Sequence, residues 1–384
     1  MNLSLSSARL SFALACWPCL LASCSLVQSE GPPLESVWTV LNPIDALAVN
    51  VADVGGYDGT NFYAVRGRAN GGRQLVAYGR EDGAVAWSSR VLSVCSPPIP
   101  FGTRVYCPGD GIQAFEISSG RLLWISQPSD NFSLAAGTAD EQRIYAGTLV
   151  PVGIGTAVAV SATTGALIWQ KSFASSEWRG IVMRSLTLSP EGDLLIAFEG
   201  QYDPPTIFSA AVVVAVDPAT GEERWRYVDG DRSTNREIGG LTLWEDLMLY
   251  SDPTGQEAVA VNRLTRQVVW RVRYTPDSFS THRPPLVKDG VAFFTDTQGA
   301  VVAVDARTGQ QRWRTKRPFG FLSHEVCGDI VFGNDQLGEV FDRATGRPLG
   351  RPLGEDDTIG QAAVADNVLY LSAASGVYAF DCTR

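Results

Sequence analysis

The stretch that decides the fold is Val213-Val-Ala-Val-Asp-Pro-Ala-Thr-Gly-Glu-Glu-Arg-Trp225, and it recurs as Val301-Val-Ala-Val-Asp-Ala-Arg-Thr-Gly-Gln-Gln-Arg-Trp313. An apolar run without alternation indicates a strand that is covered on both faces. Asp217 and Thr220 carry short side chains that hydrogen-bond to turn backbone, and Gly221 can adopt a positive φ. Each copy therefore predicts a β-hairpin whose second strand carries its tryptophan to a buried position.

The hairpin pattern occurs eight times, with a spacing of about 43 residues, and a four-stranded propeller blade takes about 40–50 residues. The remaining copies are residues 75–87, 112–124, 157–169, 258–270, 339–350 and the incomplete 377–381. The eighth copy lacks its tryptophan strand, whereas residues 36–41 form a tryptophan strand without a hairpin partner. We expect Trp38 to complete the last blade, which leaves no open sheet edge at the closure. The sequence thus predicts an all-β, eight-bladed propeller of four-stranded antiparallel blades, closed by an N-terminal strand that joins the C-terminal blade.

Seven tryptophans are expected to lie between adjacent blades. They are Trp38, Trp87, Trp124, Trp169, Trp225, Trp270 and Trp313. An indole buries about 150–250 Å², so folding alone accounts for them. Folding also accounts for Asp217, Asp305, Asp342 and Asp381, whose equivalent positions make them caps of the turn backbone. Arg266 replaces the turn glycine in one copy, and because a left-handed L-residue costs about 1–2 kcal/mol we expect a different turn type there.

The repeat resembles the one named after pyrroloquinoline-quinone enzymes, over roughly residues 36–382. A similar repeat occurs in the propeller lipoprotein of the outer-membrane β-barrel assembly machinery. Enzymes and scaffolds share it, so the resemblance implies the fold more strongly than the function. Quinoprotein alcohol dehydrogenases carry adjacent cysteines and a calcium site with a catalytic aspartate. This sequence has no Cys-Cys pair, and we could place no such calcium-binding set in it.

The first 23 residues have the features of a secretory signal peptide. Arg9 is their only charge, and residues 10–21 are uncharged and apolar but too short to span a bilayer, which takes about 20 residues. Leu21-Ala-Ser-Cys24 resembles the bacterial lipobox. This resemblance implies cleavage before Cys24 and acylation of that residue. The alternative is an ordinary signal peptide with an incidental cysteine.

The residues that follow predict the site of anchoring. Ser25 occupies the position where Asp would favour retention in the inner membrane, so the familiar sorting rule favours the outer membrane. Two or three acyl chains hold a protein on a membrane stably. Residues 24–35 are predicted to be the lipidated cysteine and a flexible tether, and residues 36–384 a single propeller domain.

Charge and histidine content exclude several functions. The formal net charge is −10 at pH 7, which argues against nucleic acid and against electrostatic docking to anionic lipid. Solubility is the simpler explanation of this charge. The two histidines, His282 and His324, are far apart in sequence and predict no metal site. The acidic residues of the segment 229–237 match no calcium loop, so we expect a solvated turn and no cofactor.

Four cysteines remain after Cys24 and the signal peptide: Cys95, Cys107, Cys327 and Cys382. An even number in an exported protein predicts two disulfides, with three possible pairings. Cys95 and Cys107 flank the turn region of one hairpin, so we favour that pair, and Cys327 with Cys382 follows by elimination. The second disulfide would join the C-terminal blade to its neighbour. The alternative is buried free thiols.

Blade four is the longest, and its excess residues include 175–184 and 199–205, which we interpret as oversized loops. Such loops on a rigid scaffold often carry binding function. Trp178 and Arg179 form a candidate partner-binding pair, because exposed aromatic and arginine side chains dominate hot spots. Arg179-Gly180 also resembles an Arg-Gly of the assembly-machinery propeller that contacts its barrel-forming partner. The alternative is that Trp178 packs over its own loop.

The favoured function is a non-enzymatic, lipid-anchored scaffold of the bacterial envelope that binds protein partners as a monomer, in outer-membrane protein assembly. The first alternative is a receptor that binds a small ligand at the propeller axis, where inward polar residues would surround a pocket. The second is a quinone-dependent dehydrogenase. No phosphate loop and no Gly-x-Ser-x-Gly elbow is found in the sequence.

Overall fold

Eight four-stranded antiparallel sheets form the fold of the computed structural model. It describes residues 34–41, 54–67, 72–92, 95, 97–128, 134–148, 155–174, 177–202, 208–273, 283–295, 300–315, 323–334, 338–354 and 357–383. Every element in these ranges is a β-strand. None of the described residues belongs to a helix with the length and hydropathy that a bilayer crossing requires. The predicted signal peptide, Cys24, the predicted tether up to residue 33, and His282 lie outside the described residues, whereas Leu34 is buried and Glu35 begins β1.

Blades one to four follow one another along the chain, and each pairs its strands in sequence order. Strand β1 (Glu35–Leu41) precedes them and belongs to blade eight. Blade one comprises β2 (Val54–Tyr57), β3 (Asn61–Gly67), β4 (Arg73–Gly79) and β5 (Val85–Val91), and blade two comprises β6 (Ile99–Phe101), β7 (Arg104–Pro108), β8 (Ile112–Glu116) and β9 (Leu122–Ser126). Blade three comprises β10 (Leu134–Ala139), β11 (Arg143–Thr148), β12 (Thr156–Ser161) and β13 (Leu167–Ser172), and blade four comprises β14 (Trp178–Leu188), β15 (Leu194–Tyr202), β16 (Ser209–Val216) and β17 (Glu223–Asp229).

Blades five to eight complete the set in the same order. Their strands are β18 (Leu241–Trp244), β19 (Leu247–Asp252), β20 (Glu257–Asn262), β21 (Gln267–Arg273), β22 (Leu286–Lys288), β23 (Val291–Thr295), β24 (Val301–Asp305), β25 (Gln311–Arg314), β26 (Ser323–Cys327), β27 (Ile330–Asn334), β28 (Glu339–Asp342), β29 (Pro348–Gly350), β30 (Ile359–Ala365), β31 (Val368–Ala373) and β32 (Gly376–Asp381).

The first and last parts of the chain share one sheet, with the strand order β1-β32-β31-β30. Strand β1 pairs antiparallel with β32, so that Ser36 lies opposite Phe380 and Trp38 opposite Ala379. The predicted closure is therefore confirmed. The first strands of neighbouring blades also contact one another all the way round, and β30 contacts β2. These contacts close the ring on its inner side.

The hydrophobic core is divided into eight clusters, one at each interface between neighbouring blades. The third strands supply much of it, because they are covered on both faces; all eight residues of β16 are buried. Since the strands alternate in direction, the hairpins between third and fourth strands lie at one end of the ring, with the turns between first and second strands. We call this the turn end, and the opposite end, which carries the connections between blades, the connection end.

Candidate functional site

The repeated tryptophans pack against the turns of the next blade. The ring of Trp270 covers Gly309 so closely that a Cβ there would lie 2.7 Å from Cδ2 of the indole. Gly309 has a φ of 72°, a conformation that glycine adopts without strain. The indole N–H of Trp270 donates to the carbonyl of Ala306 in the same turn, at 3.0 Å. This combination of burial, close contact and hydrogen bond joins blade five to blade six.

The same arrangement recurs around the ring. The equivalent contacts join Trp38 to Gly83, Trp87 to Gly120, Trp124 to Gly165, Trp169 to Gly221 and Trp313 to Gly346. In all seven tryptophan strands the residue paired with the indole is an alanine: Ala379, Ala77, Ala114, Ala159, Ala215, Ala260 and Ala303. The small side chain leaves room for the indole beside it. These residues are therefore structural.

The turn aspartates are structural too. Asp217 accepts hydrogen bonds from the N–H groups of Ala219 and Thr220, at 2.7 and 3.2 Å. These backbone donors, with Ala219 the strongest, lower the pKa of Asp217. Asp305 caps its turn in the same way and also binds Arg312, which lowers its pKa. The prediction that these carboxylates are turn caps is confirmed.

The interface between blades four and five departs from this pattern. The turn residue is Arg266, which keeps a left-handed φ of 61°, and its N–H donates to the carbonyl of Asn262 at 2.7 Å, as in the glycine turns. The prediction of a different turn type is therefore wrong. Trp225 is only partly buried, and its N–H donates to Asp193 of its own blade at 3.2 Å. The guanidinium of Arg266 lies 5.7 Å from the centre of the indole, so a cation–π contact offsets the strain.

The predicted loops of blade four are wrong, because most of their residues form strands. Strand β14 has 11 residues and begins at Trp178, which pairs with Tyr202 at the end of β15. The excess residues therefore lengthen a hairpin at the connection end. The segment between Tyr202 and Phe208 lies outside the described residues. Sequence reasoning missed this because the segment lacks the alternation of a half-buried strand.

Trp178 is buried, with only 4% of its surface exposed, so its expected exposure is wrong. Its indole covers Gly200 and packs on Tyr202, with 4.7 Å between ring centres. The guanidinium of Arg232 lies 5.3 Å from the centre of the Tyr202 ring, and the Tyr202 hydroxyl donates to the carbonyl of Gly230. The side chain of Arg179 lies outside the described residues. A rigid aromatic stack thus supports the strand that carries Arg179.

A charged cluster lies beside this stack, at the connection end of the interface between blades four and five. The guanidinium of Arg236 binds both Asp252 at 2.9 Å and Glu257 at 2.7 Å. The side chain of Asp252 is fully buried and also accepts N–H groups from Glu237 and Gly255. Burial is the dominant influence and raises the pKa of Asp252 in spite of these donors. The cluster holds the connection 230–240 against blade five.

Strand β21 extends the charged cluster through Arg271. This side chain binds Asp229 at 2.9 Å and Glu257 at 3.2 Å. Burial acts to lower the pKa of Arg271, but Asp229 and Tyr250 outweigh it and the pKa is raised. Within the segment 229–237, residues 231–234 form an exposed turn, as expected, whereas Asp229 and Arg236 belong to the charged cluster. No group of three or more His, Cys, Asp or Glu side chains in the described ranges could hold a metal ion.

His324 is a buried structural residue in blade seven. Its Nε2 lies 2.9 Å from the carbonyl oxygen of Phe293, and its Nδ1 faces the hydroxyl of Thr295. Burial lowers the pKa of the imidazole to about 4. Both ring nitrogens therefore have partners within the fold, which fits the neutral form.

The described part of the chain contains two disulfides, Cys95–Cys107 and Cys327–Cys382, as the sequence favoured. The first belongs to the cluster between blades one and two. The second belongs to the cluster between blades seven and eight, and so joins the C-terminal blade to its neighbour.

Comparison with known proteins assigns the family. A family model described as "Outer membrane protein assembly factor BamB" matches residues 35–201 and 209–383. The chain belongs to this family. It is 23% identical to the outer membrane protein assembly factor BamB of Burkholderia pseudomallei over 318 residues, which cover 73% of this chain and 74% of that protein.

Solved structures agree on the fold. BamB from Moraxella catarrhalis superposes with a TM-score of 0.67 at 16% identity, covering 90% of this chain and 97% of that one. The quinohemoprotein alcohol dehydrogenase from Comamonas testosteroni superposes with a TM-score of 0.64 at 12% identity, covering 91% of this chain and 79% of that one. At these identities the likeness shows the propeller alone, which scaffolds and enzymes share.

Proposed function

We propose that this protein is a non-enzymatic scaffold of the bacterial envelope that binds protein partners during outer-membrane protein assembly. The observation that carries the proposal is the family match, which covers both halves of the propeller. The tryptophans, glycines and aspartates of the repeat support the proposal of a non-enzymatic scaffold indirectly, because their contacts stabilise the fold. Binding therefore rests on residues outside the repeat.

The partner-binding site is the connection end of blade four, at Arg179. Strand β14 is the longest strand of the described residues and places Arg179 one residue from its start. The stack of Trp178, Tyr202 and Arg232 holds this strand end in a fixed geometry. A strand end that is held in place loses less conformational entropy on binding than a mobile one. In this proposal Trp178 positions Arg179, and Arg179 contacts the partner.

The scaffold is exported and anchored by acyl chains on Cys24, on the outer membrane. The lipobox-like Leu21-Ala-Ser-Cys24 supports this part of the proposal. Mass spectrometry of the mature N-terminus tests it directly. An acylated Cys24 is the expected result, and an unmodified N-terminus at another residue would contradict the anchor without affecting the binding proposal.

Affinity isolation from crosslinked outer membranes tests the binding. We expect the wild-type protein to recover components of the β-barrel assembly machinery, and Arg179→Glu to recover at least about tenfold less, as for loss of a hot-spot arginine. The matched control is Arg121→Glu, since Arg121 is an exposed arginine on blade two with 67% of its side chain accessible. Equal recovery by all three proteins would reject the site, and no assembly component with any of them would reject the function.

A further inference from the structure

The interface between blades seven and eight lacks the contact that joins blades elsewhere. The outer strand of blade seven, β29, reads Pro348-Leu-Gly350 and carries no tryptophan. The last blade has no hairpin between its third and fourth strands, because β32 and β1 come from opposite ends of the chain. Both halves of the tryptophan–turn contact are therefore missing at this interface.

The disulfide Cys327–Cys382 occupies the place of the missing contact. Cys327 ends the first strand of blade seven and Cys382 follows β32, so both lie at the turn end, where the tryptophans pack at the other interfaces. The N–H of Cys382 donates to the carbonyl of Asn367 at 2.9 Å. Gly328 has a φ of 52° and lies against the backbone of Cys382, with no room for a Cβ.

The first described residues of the propeller lie beside the same disulfide. Leu34 is 1% exposed and belongs to the hydrophobic cluster that contains both cysteines. The next residue, Glu35, pairs with Asp381, the neighbour of Cys382. The start of β1, the end of β32 and blade seven thus converge on one disulfide.

We propose that the Cys327–Cys382 disulfide replaces the tryptophan–turn contact at this interface and thereby holds β32, the strand with which β1 pairs to close the ring, against blade seven. This link between blades seven and eight requires oxidation of the two thiols, which lose two protons and two electrons. A disulfide of a thiol oxidant accepts them and becomes a dithiol. This dependence on an oxidant rests on the export that we propose above, because disulfides persist in oxidising compartments.

The second disulfide provides an internal comparison. Cys95–Cys107 lies at the interface between blades one and two, where Trp87 also packs on Gly120 and donates to the carbonyl of Ile117 at 2.8 Å. That interface therefore has the regular tryptophan–turn contact in addition to its disulfide. Removal of Cys95–Cys107 should therefore leave the ring closed.

Hydrogen exchange of the full mature chain, read by mass spectrometry under native conditions, tests the proposal. We expect Cys327→Ala with Cys382→Ala to raise the exchange rate of amides in β1 and β32 by more than about tenfold. Cys95→Ala with Cys107→Ala should leave β1 and β32 within about twofold of wild type. Unchanged exchange of β1 in the first variant, or the same rise in both variants, would overturn the proposal.

A second variant tests the proposal if Cys327→Ala with Cys382→Ala does not fold. Leu34→Ala thins the same cluster and keeps the disulfide, so β1 should exchange faster while β31, which does not pair with β1, stays protected. Equal acceleration of β1 and β31 would show that the disulfide does not hold the remaining strands of blade eight in place. Neither measurement depends on a partner or on the acyl anchor, so it can fail while the proposed scaffold function stands.

Discussion

At the scale of single residues, the tryptophans differ in how much stability each should contribute. Trp313 is 9% exposed, covers Gly346 and donates to the carbonyl of Arg343 at 2.9 Å. Trp225 is only partly buried and binds a carboxylate of its own blade. The two share a sequence motif but have different environments.

We expect Trp313→Ala to lower the free energy of unfolding by about 3–5 kcal/mol, because a large buried side chain leaves a cavity. Trp225→Ala, the matched comparison, should cost less, since its indole is already partly solvated. Urea unfolding followed by circular dichroism measures both. Equal losses would show that the tryptophan–turn contact adds nothing beyond burial of an indole.

Arg266 allows the backbone strain and the cation–π contact to be separated. Arg266→Ala keeps the left-handed backbone and loses the contact to Trp225, which contributes about 0.5–1 kcal/mol. Arg266→Gly loses the same contact but removes strain of about 1–2 kcal/mol. We therefore expect the glycine variant to be the more stable of the two by roughly 1–2 kcal/mol in urea unfolding. An alanine variant as stable as the glycine variant would contradict the left-handed turn.

At the scale of elements, strand β26 carries two consecutive titrating residues, the buried His324 and the partly buried Glu325, with opposite effects on stability. The folded pKa of His324, about 4, lies below its ordinary value of 6.5 because of burial. The unfolded chain then binds a proton that the fold does not, so stability falls by up to about 3 kcal/mol as pH drops from 6.5 towards 4. Burial raises the pKa of Glu325 from 4.5 to about 8. The folded chain then binds a proton that the unfolded chain does not, so Glu325 adds stability as pH falls from 8 towards 4.5, and this stability is lost as pH rises through 8.

The two effects oppose each other between about pH 4.5 and 6.5, so a variant is needed to expose one of them. We expect Glu325→Gln to lose more thermal stability than wild type between pH 7 and pH 5, because the destabilisation from His324 is no longer offset. Melting temperatures across this range measure the difference. A Glu325→Gln profile that parallels wild type would show that Glu325 does not titrate in this window.

The elements also show where sequence reasoning stops. Hairpins were predictable because Asp, Thr, Gly and Trp lie within 13 residues and report on local geometry. The lengthened β14–β15 hairpin was not, because its pairing joins residues such as Trp178 and Tyr202 across 24 positions. The charged cluster was missed for the same reason. Arg271 and Asp229 are 42 residues apart and meet only after two blades pack.

At the scale of the whole molecule, the ring was predictable from two incomplete halves. A repeat of about 43 residues indicated a propeller, and the lone Trp38 strand indicated its closure. Chain connectivity alone did not show that one interface would lack the regular contact. The core clusters show the difference. Seven of the eight clusters contain or adjoin a repeat tryptophan, and the remaining one contains Cys327–Cys382.

Because β1 is separated from the other strands of its sheet by almost the whole chain, it should also work as a separate peptide. We expect a chain that begins at residue 42 to bind a peptide of residues 34–41, with a change in fluorescence polarisation of a labelled peptide. The peptide restores the pairing with β32 and the contact of Trp38 with Gly83. Trp38→Ala in the peptide should weaken binding by about 100-fold, the equivalent of about 3 kcal/mol. Val37→Ala is the matched control, since Val37 is 45% exposed and its loss should change little. If the Trp38→Ala peptide bound as tightly as the native sequence, the tryptophan would not be the residue that holds the closing strand in place.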